Sequence, residues 1–261
     1  MRIKLTLILL FFTGLISFPG TLLYGKLDWQ EHSTAHFIIY YQKDIAEEYI
    51  EQVAEKAEEY YYAIADNLSF KRHDAWTWDN RAKIYIFKDK EQLEQETGKR
   101  RWHGGTVAIR KKIIKTYPWA EGFFDRLLPH ELGHIMFHEL VGFRNNIPLW
   151  LDEGVAMMQE KKDMETYSLL FRDLLKTSHP IPIEKLHVIT PRTLIVPEIF
   201  YCQSASIVDF LLTQFEKKDF FRFSKYLKSG KSAKEALAEV YDFDDLGQLQ
   251  EAWLRYLDDL G

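Results

Sequence analysis

The spacing of apolar residues changes near Phe123, and this change restricts the fold more than any other feature of the sequence. Before it, short segments that alternate between apolar and polar residues, as strands do, are interspersed with helical patterns. After it, almost every segment up to Trp253 has helical spacing, except a proline-bearing loop over residues 179–197. This order predicts an α+β fold, with a sheet and its helices first and helices alone afterwards.

Apolar periodicity and turn residues also place the single elements. The predicted strands are 36–41, 82–87, 104–109 and 112–117, the last two forming a hairpin. The predicted helices of the first part are 44–66 and 88–96. The closing segment, 232–260, is expected to hold two helices separated near residues 243–246.

The stretch P-H-E-L-G-H at 129–134 carries the chemistry that the sequence offers. On a helix, His130 and His134 stand about 40° apart around the axis and one turn apart along it, so both imidazoles can bind one metal ion. Glu131 points about 100° away from His130 and is placed to act as a base on a water molecule. This H-E-x-x-H pattern suits metal-assisted hydrolysis. The motif is short, and taken alone it also fits an amphipathic helix with two polar histidines.

A catalytic zinc site needs a third protein ligand. The metzincin pattern requires a histidine six residues after His134, and Leu140 occupies that position, which excludes it. His138 lies about 12 Å along the helix axis from His130, too far to share an ion. We therefore expect His138 to be a helix-face or core residue. The remaining pattern takes a glutamate from a following helix.

Glu153, in P-L-W-L-D-E-G-V-A at 148–156, supplies that glutamate, and eighteen positions, residues 135–152, separate it from His134. W-L-D-E-G-V-A resembles the W-L-N-E-G-F-A signature of the gluzincin zinc aminopeptidases, which share this spacing. The whole chain resembles the peptidase MA-like domains, through the H-F-I-I-Y-Y strand, the Y-C-Q-S helix and the closing S-A-K-E-A-L and W-L-R-Y-L segments.

The resemblance implies a thermolysin-like α+β fold and one zinc ion bound by His130, His134 and Glu153, with Glu131 as general base. It also implies one peptidase MA-like metallopeptidase domain over residues 26–261. Within it, residues 26–119 are the expected sheet-containing part and 120–261 the helical part with the zinc site.

Two further roles follow from the resemblance alone. Tyr201 opens Y-C-Q-S, which is similar to the Y-E-K-G of the aminopeptidases, where the tyrosine hydroxyl stabilises the oxyanion; otherwise it is a packing residue. Glu160 lies seven positions after Glu153, where the aminopeptidases often carry another glutamate. Two turns on and on the same helix face, it would orient a ligand histidine. The alternative is a solvated glutamate at a helix end. Cys202 is expected to be a small buried apolar residue.

The sequence departs from the aminopeptidases in one strand. Theirs carries G-x-M-E-N, whose glutamate binds the free amine of the substrate, whereas G-G-T-V-A-I-R at 104–110 has no acid. This weakens an exopeptidase assignment. The strand can instead pair with an extended substrate backbone by β-augmentation.

The predicted function is therefore hydrolysis of peptide bonds in peptides or proteins. The alternative is a zinc-binding scaffold or binding module at the cell envelope that hydrolyses nothing. An intramembrane protease is excluded, because charged residues such as Arg126, Glu139 and Arg144 surround the motif.

Charge and the first residues bear on partners and location. The net charge of −5 gives no general attraction to nucleic acid, so none is expected as a partner. The basic runs at 99–101 and 110–112 are interpreted as solvated surface. A basic start, residues 1–4, precedes an apolar run over 5–24, which predicts a signal peptide or N-terminal membrane anchor at 1–25. The remainder is expected outside the cytoplasmic membrane, periplasmic or secreted.

Overall fold

A computed structural model describes residues 28–70, 76–98, 105–118, 120, 122–143, 147–160 and 167–260 of the chain. The predicted leader at 1–25 lies outside these residues. The described residues fall into two compact units. The sheet unit holds residues 28–143 with Gln159 and Glu160, and the helical unit holds 147–158 and 167–260.

The sheet unit contains a five-stranded mixed sheet with strand order β1-β2-β3-β5-β4. Its strands are β1 Trp29–Ser33, β2 Phe37–Gln42, β3 Ala82–Ile86, β4 Gly105–Ala108 and β5 Ile113–Thr116. The central pairs β2–β3 and β3–β5 are parallel, whereas β1–β2 and β4–β5 are antiparallel. β4 thus lies at one edge of the sheet.

Alternation along the central strands supplies one apolar face of the sheet. Phe37, Ile39, Ile84 and Ile114 are fully buried, as side chains of period two must be when one face packs on helices. The helices of this unit are α1 Glu47–Asn67, α2 Lys90–Thr97 and α3 Leu128–Val141. α1 packs against both β2 and α3, so α3 is part of the core of the sheet unit.

The helical unit is built around its longest helix, α7. Its helices are α4 Leu149–Met157, α5 Tyr167–Leu174, α6 Ile183–His187, α7 Pro197–Thr213, α8 Lys217–Ser229, α9 Ala233–Tyr241 and α10 Leu246–Asp259. α4, α5, α8 and α10 all pack against α7. Ser232 begins α9 with a reciprocal capping box to Glu235, and the Asp245 side chain caps α10.

The predicted α+β class is confirmed, and the predicted strands and first two helices are present with shifts of up to three residues at their ends. Two elements differ from expectation. β1 was not predicted, because W-Q-E-H-S is a polar edge sequence whose strand forms only through pairing with β2. α6 lies within the stretch 179–197 that the sequence analysis interprets as a loop. Among the described residues, no helix is long and apolar enough to cross a membrane.

Candidate metal centre

The first two predicted ligands lie on one face of α3, as their spacing requires. The Nε2 atoms of His130 and His134 face each other at 3.2 Å, with ring centroids 4.8 Å apart and ring planes at 80°. Two nitrogens bound to one tetrahedral zinc ion at about 2.0–2.1 Å stand about 3.3–3.4 Å apart, close to the observed separation. The pair therefore has the geometry of two ligands to one ion.

Glu160 contacts the His130 ring at Nδ1, the nitrogen that does not face His134. Its Oε1 atom lies 2.8 Å from Nδ1 of His130. A carboxylate there accepts the Nδ1–H, which fixes the tautomer and leaves the Nε2 lone pair directed at the metal position. The predicted contact with a ligand histidine is thus present, but the predicted placement on the α4 helix face is wrong. α4 ends at Met157, so Glu160 lies in the segment beyond it.

Glu153 lies in the middle of α4, and its helix packs closely on α7. The Glu153 side chain is fully buried. A Cβ atom at Gly154 would lie 2.5 Å from the backbone oxygen of Ser204, so only glycine allows this approach of α4 to α7. The glycine after Glu153 therefore fixes the position of the carboxylate relative to α7.

Tyr201 lies in the second turn of α7, three residues before Ser204, and not at the start of the helix. Its side chain is buried. Burial raises the pKa of the phenol well above its usual range, and the negative charge of Glu153 raises it further. The hydroxyl therefore keeps its proton at neutral pH and is a hydrogen-bond donor in the neighbourhood of Glu153.

His130, His134 and Glu153 form a group whose candidate ligand atoms all lie within 4.8 Å of one another. The three side chains are 1%, 0% and 0% exposed. Two imidazole nitrogens and one carboxylate oxygen are the donor set of catalytic zinc sites such as His₂Glu. The residues present fit a zinc ion by donor chemistry and by the distance between the histidine nitrogens.

His138 and Cys202 lie outside this group, whereas Glu131 adjoins it on α3. His138 stacks on Phe143, with ring centroids 5.9 Å apart, and takes no part in the metal group. Cys202 is buried, with its sulfur 3.8 Å from the backbone oxygen of Tyr167. Glu131 is buried on α3 directly after His130. The predictions for His138 and Cys202 are confirmed.

The edge strand β4 runs beside the helix that carries the histidines. A Cβ atom at Gly105 would lie 3.0 Å from the Leu127 side chain, immediately before α3 begins. At the other end, the Nη2 atom of Arg110 donates to the backbone oxygen of Phe143, just after α3 ends. β4 and the turn that follows it therefore extend along α3.

An ion pair in this region, between Lys112 and Glu139, is not predictable from the sequence pattern. The sequence places Lys112 in a basic run that is expected to be solvated, but its side chain is only 15% exposed and its Nζ lies 3.0 Å from Oε1 of Glu139 on α3. Its neighbours Arg110 and Lys111 are exposed, as interpreted. A charged residue with its partner far along the chain gives no local signal of burial, so spacing alone does not reveal this pair.

Comparison with known proteins decides the family, because residues 73–259 match the Peptidase MA superfamily over most of the chain. This chain belongs to the Peptidase MA superfamily. Among curated proteins, it is similar to aminopeptidase Ey of Gallus gallus, with 31% identity over 114 residues. The match covers 37% of this chain and 12% of that protein, so the chain spans a small part of the relative's length. Membership of the Peptidase MA superfamily supports a hydrolase of the metallopeptidase class.

Proposed function

We propose that this chain is a zinc-dependent peptidase that hydrolyses peptide bonds in peptides or proteins, with residues 26–261 as its peptidase domain. The buried group of His130, His134 and Glu153 is the observation that supports this most directly. These three side chains would hold one zinc ion. When bound, zinc polarises the scissile carbonyl as a Lewis acid and lowers the pKa of a water molecule towards neutrality.

Glu131 is the proposed general base. It follows His130 on α3, and its side chain is only 4% exposed, which keeps the carboxylate out of bulk solvent. It takes a proton from the attacking water and delivers that proton to the leaving nitrogen of the cleaved peptide bond. Because Glu131 is not a metal ligand in this proposal, its carboxylate can perform both transfers.

Tyr201 and Glu160 complete the proposed machinery. The Tyr201 hydroxyl donates a hydrogen bond to the oxyanion that develops on the carbonyl oxygen, a role suited to a phenol that burial keeps protonated. Glu160 holds the proton on Nδ1 of His130 and orients that ring. Neither residue binds the metal in this proposal.

We propose that an extended substrate pairs with the backbone of β4. This strand lies at the sheet edge and beside α3, so a peptide added there runs along the helix that carries the metal group. The residues of β4, Gly105–Ala108, include no acid that would bind a free α-amine. We therefore propose cleavage within peptides in preference to removal of single N-terminal residues.

We also propose that the peptidase domain acts outside the cytoplasmic membrane, because the basic start and apolar run of residues 1–24 suit export. The proposed substrates are then extracytoplasmic peptides or proteins. The alternative, a zinc scaffold at the envelope, needs no base. The buried Glu131 beside the histidine ligands favours hydrolysis over that role.

A peptide-library digest tests the proposal. The protein is incubated with a mixture of unstructured peptides, alone, with a metal chelator, and after zinc is restored, and the products are sequenced by mass spectrometry. The proposal expects internal cleavage that the chelator abolishes and zinc restores. Zinc bound at one ion per chain without any cleavage would instead support the scaffold.

A further inference from the structure

The turn between β4 and β5 is fastened to α3 by a partly buried ion pair. Lys112 directly precedes β5, and its Nζ lies 3.0 Å from Oε1 of Glu139, each side chain being 15% exposed. The other oxygen of Glu139 accepts a hydrogen bond from the Trp76 indole. The Lys112 ammonium also lies 5.4 Å from the Trp76 ring centroid, within cation–π distance. We call Lys112, Glu139 and Trp76 the brace.

The backbone conformation of Lys112 is unfavourable by itself, which indicates that contacts of this residue stabilise the turn. Its φ of 51° and ψ of 47° are left-handed, a conformation that residues other than glycine adopt at a cost. The carbonyl of Lys112 accepts a hydrogen bond at 2.8 Å from the backbone N–H of Lys83, which lies in β3. The backbone of Lys112 is thus hydrogen-bonded to the sheet, and its side chain connects the same turn to α3.

A second link lies beside the brace. The Arg110 guanidinium lies 5.5 Å from the centroid of the Phe143 ring and donates to the Phe143 carbonyl at 2.6 Å. The Phe143 ring in turn stacks on His138 of α3, with 14° between the ring planes. This link is exposed, whereas the brace is largely screened from water, so the brace is the stronger constraint of the two.

We propose that Lys112 and Glu139 are positioning residues that hold the β4 edge in register with the histidines of α3. Glu139 lies on α3 itself, and Lys112 continues the turn that follows β4. A peptide paired with β4 then keeps one fixed offset from the metal group. This inference rests on the proposed peptidase function and concerns the alignment of long substrates, because short ones do not reach along the strand.

Glu139→Gln and Lys112→Met test the brace. Glutamine keeps an oxygen that accepts from Trp76 but removes the charge that pairs with Lys112. For a peptide of about ten residues we expect KM to rise about 5- to 30-fold, the loss of one or two net backbone hydrogen bonds. For a substrate with one residue on each side of the cleaved bond, kcat and KM should stay within about twofold, and zinc content should not change. Lys112→Arg should restore the long-peptide KM.

Glu58→Gln is the matched control, because it removes a charged hydrogen-bond acceptor from the same unit at the β1–β2 end of the sheet. Glu58→Gln should lower the stability of the protein. Any change in KM should be the same for long and short substrates. Equal changes in KM for long and short substrates in Glu139→Gln and Lys112→Met would overturn the proposed role of the brace. The same dependence on substrate length in Glu58→Gln would also overturn it.

Hydrogen exchange provides a measurement that does not need catalysis. If the brace holds β4, the amides of Gly105–Ala108 exchange faster in Glu139→Gln than in wild type, with no change in α1. Unchanged exchange in β4 would overturn the inference even if no peptide is cleaved. Conversely, faster exchange without cleavage of any peptide by the zinc-loaded wild type would leave the brace standing and refute the proposed function.

Discussion

The Nδ1 atom of His130 lies 2.8 Å from Oε1 of Glu160, thirty residues further along the chain. The Glu160 side chain is only 13% exposed, so water competes little for its oxygens. The contact presents the opposite nitrogen of the ring, Nε2, towards Nε2 of His134. A residue beyond the end of α4 thereby fixes the tautomer and the orientation of a proposed zinc ligand on α3.

Glu160→Gln should weaken zinc binding about 10- to 100-fold, because the amide is a poorer acceptor for the Nδ1–H and the ring loses its fixed orientation. Zinc affinity can be measured by competition with a chromophoric chelator. Glu58→Gln, which alters a similar pairing of glutamate with a histidine Nδ1 at His36, is the control and should bind zinc as wild type does. If Glu160→Gln binds zinc with the wild-type affinity, Glu160 does not orient His130 for zinc binding.

Tyr201→Phe should keep its zinc and lower kcat by about 10²- to 10³-fold, the usual effect of removing one oxyanion donor. KM should change little, because the hydrogen bond strengthens only in the transition state. Steady-state kinetics on a peptide identified in the library digest measure both constants. Tyr241→Phe removes another buried hydroxyl of the helical unit, and its kinetics should match wild type. A Tyr201→Phe enzyme with undiminished kcat would leave Tyr201 as a packing residue.

Gly154→Ala should lower the free energy of unfolding by about 1–3 kcal/mol, the usual cost of overpacking. The new Cβ would lie 2.5 Å from the Ser204 oxygen and 2.7 Å from Cγ2 of Val208, and the former is a backbone atom that cannot turn away. Moving α4 also displaces Glu153, so zinc affinity should fall with stability. Urea unfolding measures the first effect. Gly247→Ala, where the new Cβ would meet only the side chain of Asp245, should lower stability less. Wild-type stability in Gly154→Ala would contradict the close α4–α7 contact.

Glu58 should make stability depend on pH. Burial raises the pKa of its carboxyl, but hydrogen bonds from the His36 ring, the Thr34 hydroxyl and the His36 N–H outweigh this, so the pKa lies below the ordinary value of a glutamate. The unfolded chain then binds the proton more readily. The stabilisation is complete above the unfolded pKa and is lost as pH falls through the folded pKa.

We therefore expect Glu58→Gln to lower the free energy of unfolding by roughly 1–3 kcal/mol at pH 7. The difference from wild type should shrink steadily as pH falls below the ordinary glutamate pKa of about 4.3. Chemical unfolding of both proteins across this range provides the measurement. A difference that does not vary with pH would show that the ionised carboxylate is not the stabilising form.

Where helix geometry alone sets the relative positions of residues, those positions were predictable from the sequence. His130, Glu131 and His134 belong to one helix, and helical spacing alone brings the two imidazoles together. Contacts set by the path of the chain were not predictable in this way. Glu160 meets His130 through a segment outside any helix, so the expected helix-face geometry failed although the contact exists.

Elements that depend on a distant partner were also missed. β1 is polar and forms a strand because β2 pairs with it. Lys112 follows two exposed basic residues, and only the fold brings it to Glu139 and Trp76. In both cases the deciding interaction is tertiary, and the local sequence favours the opposite interpretation.

The most direct test of the account is the rate of peptide cleavage by zinc-loaded Glu131→Gln compared with wild type. Because Glu131 is assigned as the base and not as a ligand, the variant should bind one zinc ion per chain and unfold at the wild-type temperature. Its rate should be about 10²- to 10⁴-fold lower, the usual contribution of a positioned proton-transfer group. A zinc-loaded Glu131→Gln protein that cleaves the same peptide at the wild-type rate would contradict the proposed mechanism.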